Sequence, residues 1–197
     1  MLVLASQSAG RRALLANAGV THEAMTADID EDAARLALRD EGLGPRELAN
    51  ALAERKALDV SRRRPDDLIL GCDQTLALDD GTMFDKPTDR IVLAEHLRIL
   101  SGKVHILYSA IAIARGGDIL WRHVEQVRMT MRPLSDVFIA DYVDMEGDGL
   151  LRCVGGYQIE ARGAQLFSEI NGSHFAIIGL PLLPLLDYLR SQGVLAS

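Results

Sequence analysis

Leu2, Val3, Leu4 and Ala5 form a short apolar run that breaks at Ser6-Gln7-Ser8, which predicts a strand over 2–5 entering a helix. Ser8 is a good N-cap and Gly19 a good C′ residue, so that helix is expected over 9–18. A segment at 26–31 leads into a second helical stretch, and Pro45 opens a third helix over 46–61. An apolar strand at 68–73 follows, closed by Asp73. Leu76-Ala77-Leu78 then runs into the turn signal Asp79-Asp80-Gly81, ahead of a helix capped by Thr88 and stopped by Gly102. Two long strands, 104–114 and 119–131, flank Gly116-Gly117 as a hairpin, and Val127, Met129 and Met131 mark one buried face. Ser135 caps a short helix to Asp144. The last third holds a glycine-rich element over 154–160, a strand at 165–170, an Asn171-Gly172 turn, a second strand to Ile178 and a leucine-rich helix from Pro181. Helical and strand patterns alternate throughout, which is the signature of an α/β fold.

A chain of 197 residues with 48% hydrophobic content can bury one sizeable core, as a single domain or as two lobes sharing a sheet. The net charge of −7 repels polyanions, so no nucleic-acid partner is expected and any phosphate ligand must be held by local cations. Cys72 and Cys153 match no metal-ligand spacing and read as reduced thiols. The C-terminal apolar run is interrupted by Gly179, Pro181 and Pro184 and is too short for a bilayer, so a cytoplasmic protein without membrane contact is expected.

The candidate chemistry lies in charges placed where the fold pattern would not choose them. Arg11 and Arg12 fall in the first turn of the 9–18 helix, where they oppose the helix dipole unless an anion is supplied; otherwise they point into water or pair with local acids. Asp73, at the carboxyl end of an apolar strand, suits a metal or a proton from water, and equally an Asx turn or a helix cap. Arg55 and Lys56 sit on or beside the apolar side of their helix, where snorkelling is the alternative. Lys86, fixed by Pro87, is a point charge for phosphate or an ordinary surface lysine. Asp28, Asp30, Glu31 and Asp32 read as a divalent-ion cluster or as the acidic start of a helix. His105 lies within a strand pattern and is expected to be structural.

Several short blocks occur in one order: Leu-Ala-Ser-Gln-Ser-x-x-Arg-Arg (4–12), Asp-Ile-Asp-Glu (28–31), Ala-Glu-Arg-Lys-Ala (53–57), Gly-Cys-Asp-Gln-Thr (71–75), Asp-Lys-Pro (85–87), Leu-Ser-Gly-Lys-Val-His (100–105) and Gly-Gly-Tyr-Gln-Ile-Glu (155–160), then Asn-Gly-Ser and Gly-Leu-Pro-Leu. Together they resemble the Maf family of nucleotide pyrophosphatases, also called septum-formation inhibitor proteins, over essentially the whole chain. The resemblance implies an elongated mixed β-sheet flanked by helices, forming two lobes with a central cleft within a single domain over 1–197, and usually a homodimer. It implies hydrolysis of a nucleoside triphosphate between the α and β phosphates with a divalent cation, Mg²⁺ or Mn²⁺.

Carried over by position, Asp73 matches the family's proton acceptor, and Asp73 and Glu31 its metal-side carboxylates. Ser6, Ser8, Arg11, Lys56 and Lys86 match its phosphate-contacting positions, and Arg12 joins them as a phosphate candidate through its place in the first helical turn. Three positions distinguish the family's branches: Gln74 and Glu160 resemble the enzymes that prefer 7-methyl-GTP, while Gly10 fits neither branch, the family having Arg or Trp there. A dTTP/UTP-preferring pyrophosphatase and a nucleotide-binding regulator of cell division are the alternatives.

Overall fold

A computed structural model describes residues 1–196. It contains strands β1 (Leu2–Ala5), β2 (His22–Ala24), β3 (Leu68–Leu78), β4 (Met83–Phe84), β5 (Val104–Arg115), β6 (Asp118–Met131) and β7 (Phe167–Asn171). The helices are α1 (Ala9–Asn17), α2 (Glu31–Asp40), α3 (Pro45–Arg63), α4 (Arg90–Leu100), α5 (Asp136–Glu146), α6 (His174–Ile178) and α7 (Leu182–Ser191). Among the described residues the strands form one mixed sheet in the order β2-β1-β3-β5-β6-β7, with β4 paired to β3. β1 runs parallel to β2 and β3, whereas β3–β4 and β6–β7 are antiparallel. The sheet flanked by helices is the expected α/β class.

The chain forms two compact units. The first comprises Met1–Gln74, Tyr108–Glu125 and the stretch from Phe175, and the second comprises Thr75–Leu107 and Gln126–His174. In the first unit the period-2 alternation of the strands separates two apolar layers. Leu2, Leu4, Leu68, Leu70 and Cys72 pack with Leu15 of α1 and with Leu182, Leu185 and Leu189 of α7 on one face. Val3, Ala5 and Ile69 pack with Ala49, Ala53, Ala57 and Val60 of α3 on the other. The leucines of the last helix are therefore divided, with Leu182, Leu185 and Leu189 buried and Leu183 exposed. In the second unit Val127, Met129 and Met131 are buried as their alternation predicts. Among the described residues no helix is long and apolar enough to cross a membrane.

Several boundaries differ from expectation, each for a local reason. β3 does not stop at Asp73 but continues to Leu78, because Leu76 and Ala77 pair with Phe84 and Met83 of β4; Asp73 is thus a mid-strand residue. The N-cap of α4 is Asp89, not Thr88, its carboxylate accepting from the amides of Ile91 and Val92. Residues 174–178 form a helical turn instead of a strand. Five apolar residues are too few for periodicity to discriminate, and Gly179, at φ 103°, closes the turn as its C′ residue, with Leu180 N bonding Phe175 O and Gly179 N bonding Ala176 O. The strand expected over 165–170 begins at Phe167, after a 3₁₀ turn at Arg162–Leu166. α3 runs on to Arg63 rather than ending at Ser61, and β2 has no counterpart in the sequence reading.

Candidate active site

Gly71 fixes the geometry of the first cluster. A Cβ there would lie 2.1 Å from Ala53 O and 2.7 Å from Ala57 N, so α3 rests on β3 with no side chain between them. That contact brings Lys56 over the strand. Two residues beyond Gly71 and on the same face, Asp73 points toward α3, and its Oδ1 accepts from Lys56 Nζ at 2.8 Å. Lys56 is 6% exposed and Asp73 4%, so the pair is withdrawn from water, where a carboxylate and an ammonium persist only by compensating each other. Lys56 Nζ also lies 2.8 Å from Glu31 Oε2, at the first residue of α2. Arg35, one turn further along α2, places Nη2 3.6 Å from Asp73 Oδ2. Four of the charged side chains of α2, α3 and β3 thus form one group, with Lys56 between two carboxylates. Asp30 caps α2 by accepting from Ala33 N, and Glu31 and Asp32 stand in its first turn, where carboxylates complement the helix dipole.

The second cluster sits where β1 ends. Ser8 is the N-cap of α1, as its position predicts, accepting from Arg11 N at 3.4 Å, and Ser6 Oγ accepts from Ser8 N. Arg11 turns back from the first helical turn. Its Nε donates to Gly179 O at 2.8 Å, and Nη1 donates to Ser6 Oγ and Cys72 O, each at 3.2 Å. These acceptors are neutral. Arg11 is held in place while its charge meets no carboxylate among the described residues, and the exposed Arg12 beside it has none either. Cys72 lies between the two clusters. Burial pushes its thiol up to about 11, with Arg11 and Lys56 pulling it down and Asp73 adding to the rise, so it stays a neutral thiol.

Gly10 precedes Arg11, and its missing side chain is accounted for by α6. A Cβ at position 10 would lie 2.8 Å from Ile178 Cγ2. Gln74 follows Asp73 on β3 and therefore faces the other way, toward α6, where its Nε2 lies 2.9 Å from Ala176 O and 3.1 Å from Ile177 O.

Lys86 and Glu160 belong to the second unit, both exposed. Both act on Cys153, whose thiol is pushed up chiefly by burial: Glu160 adds to the rise and Lys86 opposes it. His105 is a core residue as expected, with Nε2 2.8 Å from the Tyr157 hydroxyl.

A family profile described as "Maf-like protein" matches residues 1–192. The chain belongs to the Maf family. A nucleoside triphosphate pyrophosphatase of Hyphomonas neptunium is 52% identical to it over 196 residues, covering 100% of this chain and 98% of that protein. One of the same description from Rhodopseudomonas palustris is 53% identical over 196 residues, covering 99% and 95% of the two chains. A 7-methyl-GTP pyrophosphatase of Rhizobium meliloti is 50% identical over 196 residues, covering 99% and 98%.

Two residues of this Maf-family chain that touch the site were missed in the sequence. Arg35 is four residues from Glu31, hence on the same face of α2, a spacing that would have paired it with the Lys56 group had the position of α2 been known. Ser109 lies inside an apolar strand and bonds Gln74. Nothing in its local pattern marks it.

Proposed function

We propose that this chain is a nucleoside triphosphate pyrophosphatase, in which water attacks the α-phosphorus, the α–β anhydride breaks, and nucleoside monophosphate and pyrophosphate leave. The observation that carries this reading is the buried Lys56–Asp73 pair with Glu31 on the same ammonium. Asp73 orients the attacking water and takes its proton, while Lys56 holds that carboxylate and offers positive charge to the phosphates. Arg11, anchored through neutral acceptors, keeps an unneutralised charge at the N-terminus of α1, where the helix dipole adds to it. Arg12 supplies a further exposed cation for the phosphate chain.

Asp73 and Glu31 are hard oxygen donors, and a pair of carboxylates completed by substrate phosphates suits Mg²⁺ or Mn²⁺. Such a cation, when bound, spreads the negative charge of the pyrophosphate leaving group. The base preferred is 7-methyl-guanine, because the exposed Glu160 carboxylate can accept from the ring N–H and exocyclic amine of a guanine-type base together. The relatives named for 7-methyl-GTP support that choice. The assembly proposed is a homodimer, to be read by light scattering.

The test is pyrophosphate release from 7-methyl-GTP, GTP, dTTP and UTP with Mg²⁺ or Mn²⁺, run beside Asp73→Asn. The wild type is expected to turn over 7-methyl-GTP fastest and the variant to lose on the order of 10²-fold or more in kcat. Equal rates for the two proteins would remove Asp73 from the mechanism, and release from none of the nucleotides would overturn the enzyme reading.

A further inference from the structure

The side-chain amide of Gln74 has only one orientation open to it. Ser109 is fully buried on β5, and its hydroxyl donates its single proton to Ala176 O. Toward Gln74 it can therefore only accept, and the Gln74 atom 2.8 Å away must be the NH₂ group. The carbonyls of Ala176 and Ile177, within 3.1 Å of that nitrogen, demand the same. Three acceptors surround one end of the amide, so Nε2 is turned inward and Oε1 points the opposite way. Oε1 takes no hydrogen bond from any described residue, and it is absent from the buried unpaired atoms. The same bonds satisfy last-turn carbonyls of α6, the helix that carries Ile178 to Gly10 and leads to the Gly179 carbonyl holding Arg11.

We infer that Ser109 is a positioning residue for substrate selection: through its bond to Gln74 it presents Oε1 to the base as a fixed hydrogen-bond acceptor. A base contacting this position must bring an N–H donor, as an amino-bearing guanine-type base does. A freely rotating hydroxyl or amide, able to donate or accept, would impose no such demand. This rests on the pyrophosphatase reading above and adds to it the means by which one face of β3 reads the base while the other carries Asp73.

The test is a double-mutant cycle of Ser109→Ala and Gln74→Ala, with Ser109→Thr as the conservative variant, measured on whichever triphosphate the wild type hydrolyses best. Ser109→Ala should raise KM about five- to tenfold and change kcat less than about twofold, the scale of one lost hydrogen bond remote from the reacting phosphorus. Ser109→Thr should stay within about twofold of wild type, and Ser109→Ala should add nothing once Gln74 is alanine. Should Ser109→Ala fold poorly, Gln74→Glu tests the same orientation, because it sets a carboxylate oxygen against two carbonyls and should raise KM at least as much. An undiminished Ser109→Ala effect in the Gln74→Ala background, or an unchanged KM in Gln74→Glu, would overturn the inference. A wild type that prefers dTTP or UTP would instead refute the choice of base, and the cycle would still report on Ser109.

Discussion

Lowering the pH below the ordinary histidine range puts a proton on His105, where the second unit has no means of receiving it. The imidazole is fully buried, against the rings of Tyr157 and Phe167. The Tyr157 hydroxyl donates to Met129 Sδ, so its oxygen is free to accept from Nε2–H, and Nδ1 is left as a bare, buried lone pair. A proton on Nδ1 would be an unpaired donor on a charged ring in an apolar pocket. Burial accordingly pushes the imidazole down from 6.5 to about 4.

Because the folded value is the lower one, the unfolded chain takes up the proton first. The stabilisation is complete above 6.5 and is lost as the pH falls from there toward 4. The slope is about 1.4 kcal/mol per pH unit and the loss approaches about 3 kcal/mol near the bottom of that window, a large share of a typical domain's stability. Carboxylates also titrate in this range, so the measurement is a difference: urea unfolding of wild type and of His105→Gln, which can still donate to Tyr157 but cannot titrate, from about pH 7.5 to about pH 4.5. The stability of wild type minus variant should fall steadily with acidity. A constant difference across the window would refute the reasoning, as would an imidazole resonance titrating near its ordinary value.

Gly71→Ala should destabilise by about 2–3 kcal/mol, because its methyl would meet the backbone of α3, which can yield only by moving the helix. Pyrophosphate release should fall by more than the folded fraction does, since Lys56 moves with that helix; chemical unfolding and kcat on the same samples separate the two effects. Gly10→Ala would ordinarily stabilise a helix by roughly 0.5–1 kcal/mol, yet here its Cβ meets Ile178, so the gain should vanish or reverse. In an Ile178→Ala background the gain should reappear, and additivity of the two substitutions in thermal or urea unfolding would show that Ile178 does not fill that space.

The lesson of the opening segment is how little a residue's local sequence says about its role. Arg11 and Arg12 are adjacent and chemically identical, and in the sequence both are simply first-turn cations. On a helix they are about 100° apart, which is enough to separate their roles. Arg11 reaches carbonyls 61 and 168 positions away, whereas Arg12 faces solvent. The helix, its Ser8 cap and its Gly19 stop were legible because they depend on neighbours within a few residues. The carbonyls of Cys72 and Gly179 were not legible, because they arrive through the pairing of β1 with β3 and through the turn that ends α6. The same division explains Asp73. It stands out in the sequence as a chemical outlier in an apolar run, yet it is a mid-strand residue and not a strand end. The strand runs through it, and that continuity is what turns Asp73 toward Lys56 and Gln74 toward Ser109. Gly71 shows the limit most clearly. Its role is the absence of a side chain where two backbones meet, and only packing shows which glycine in such a run is the one a helix rests upon.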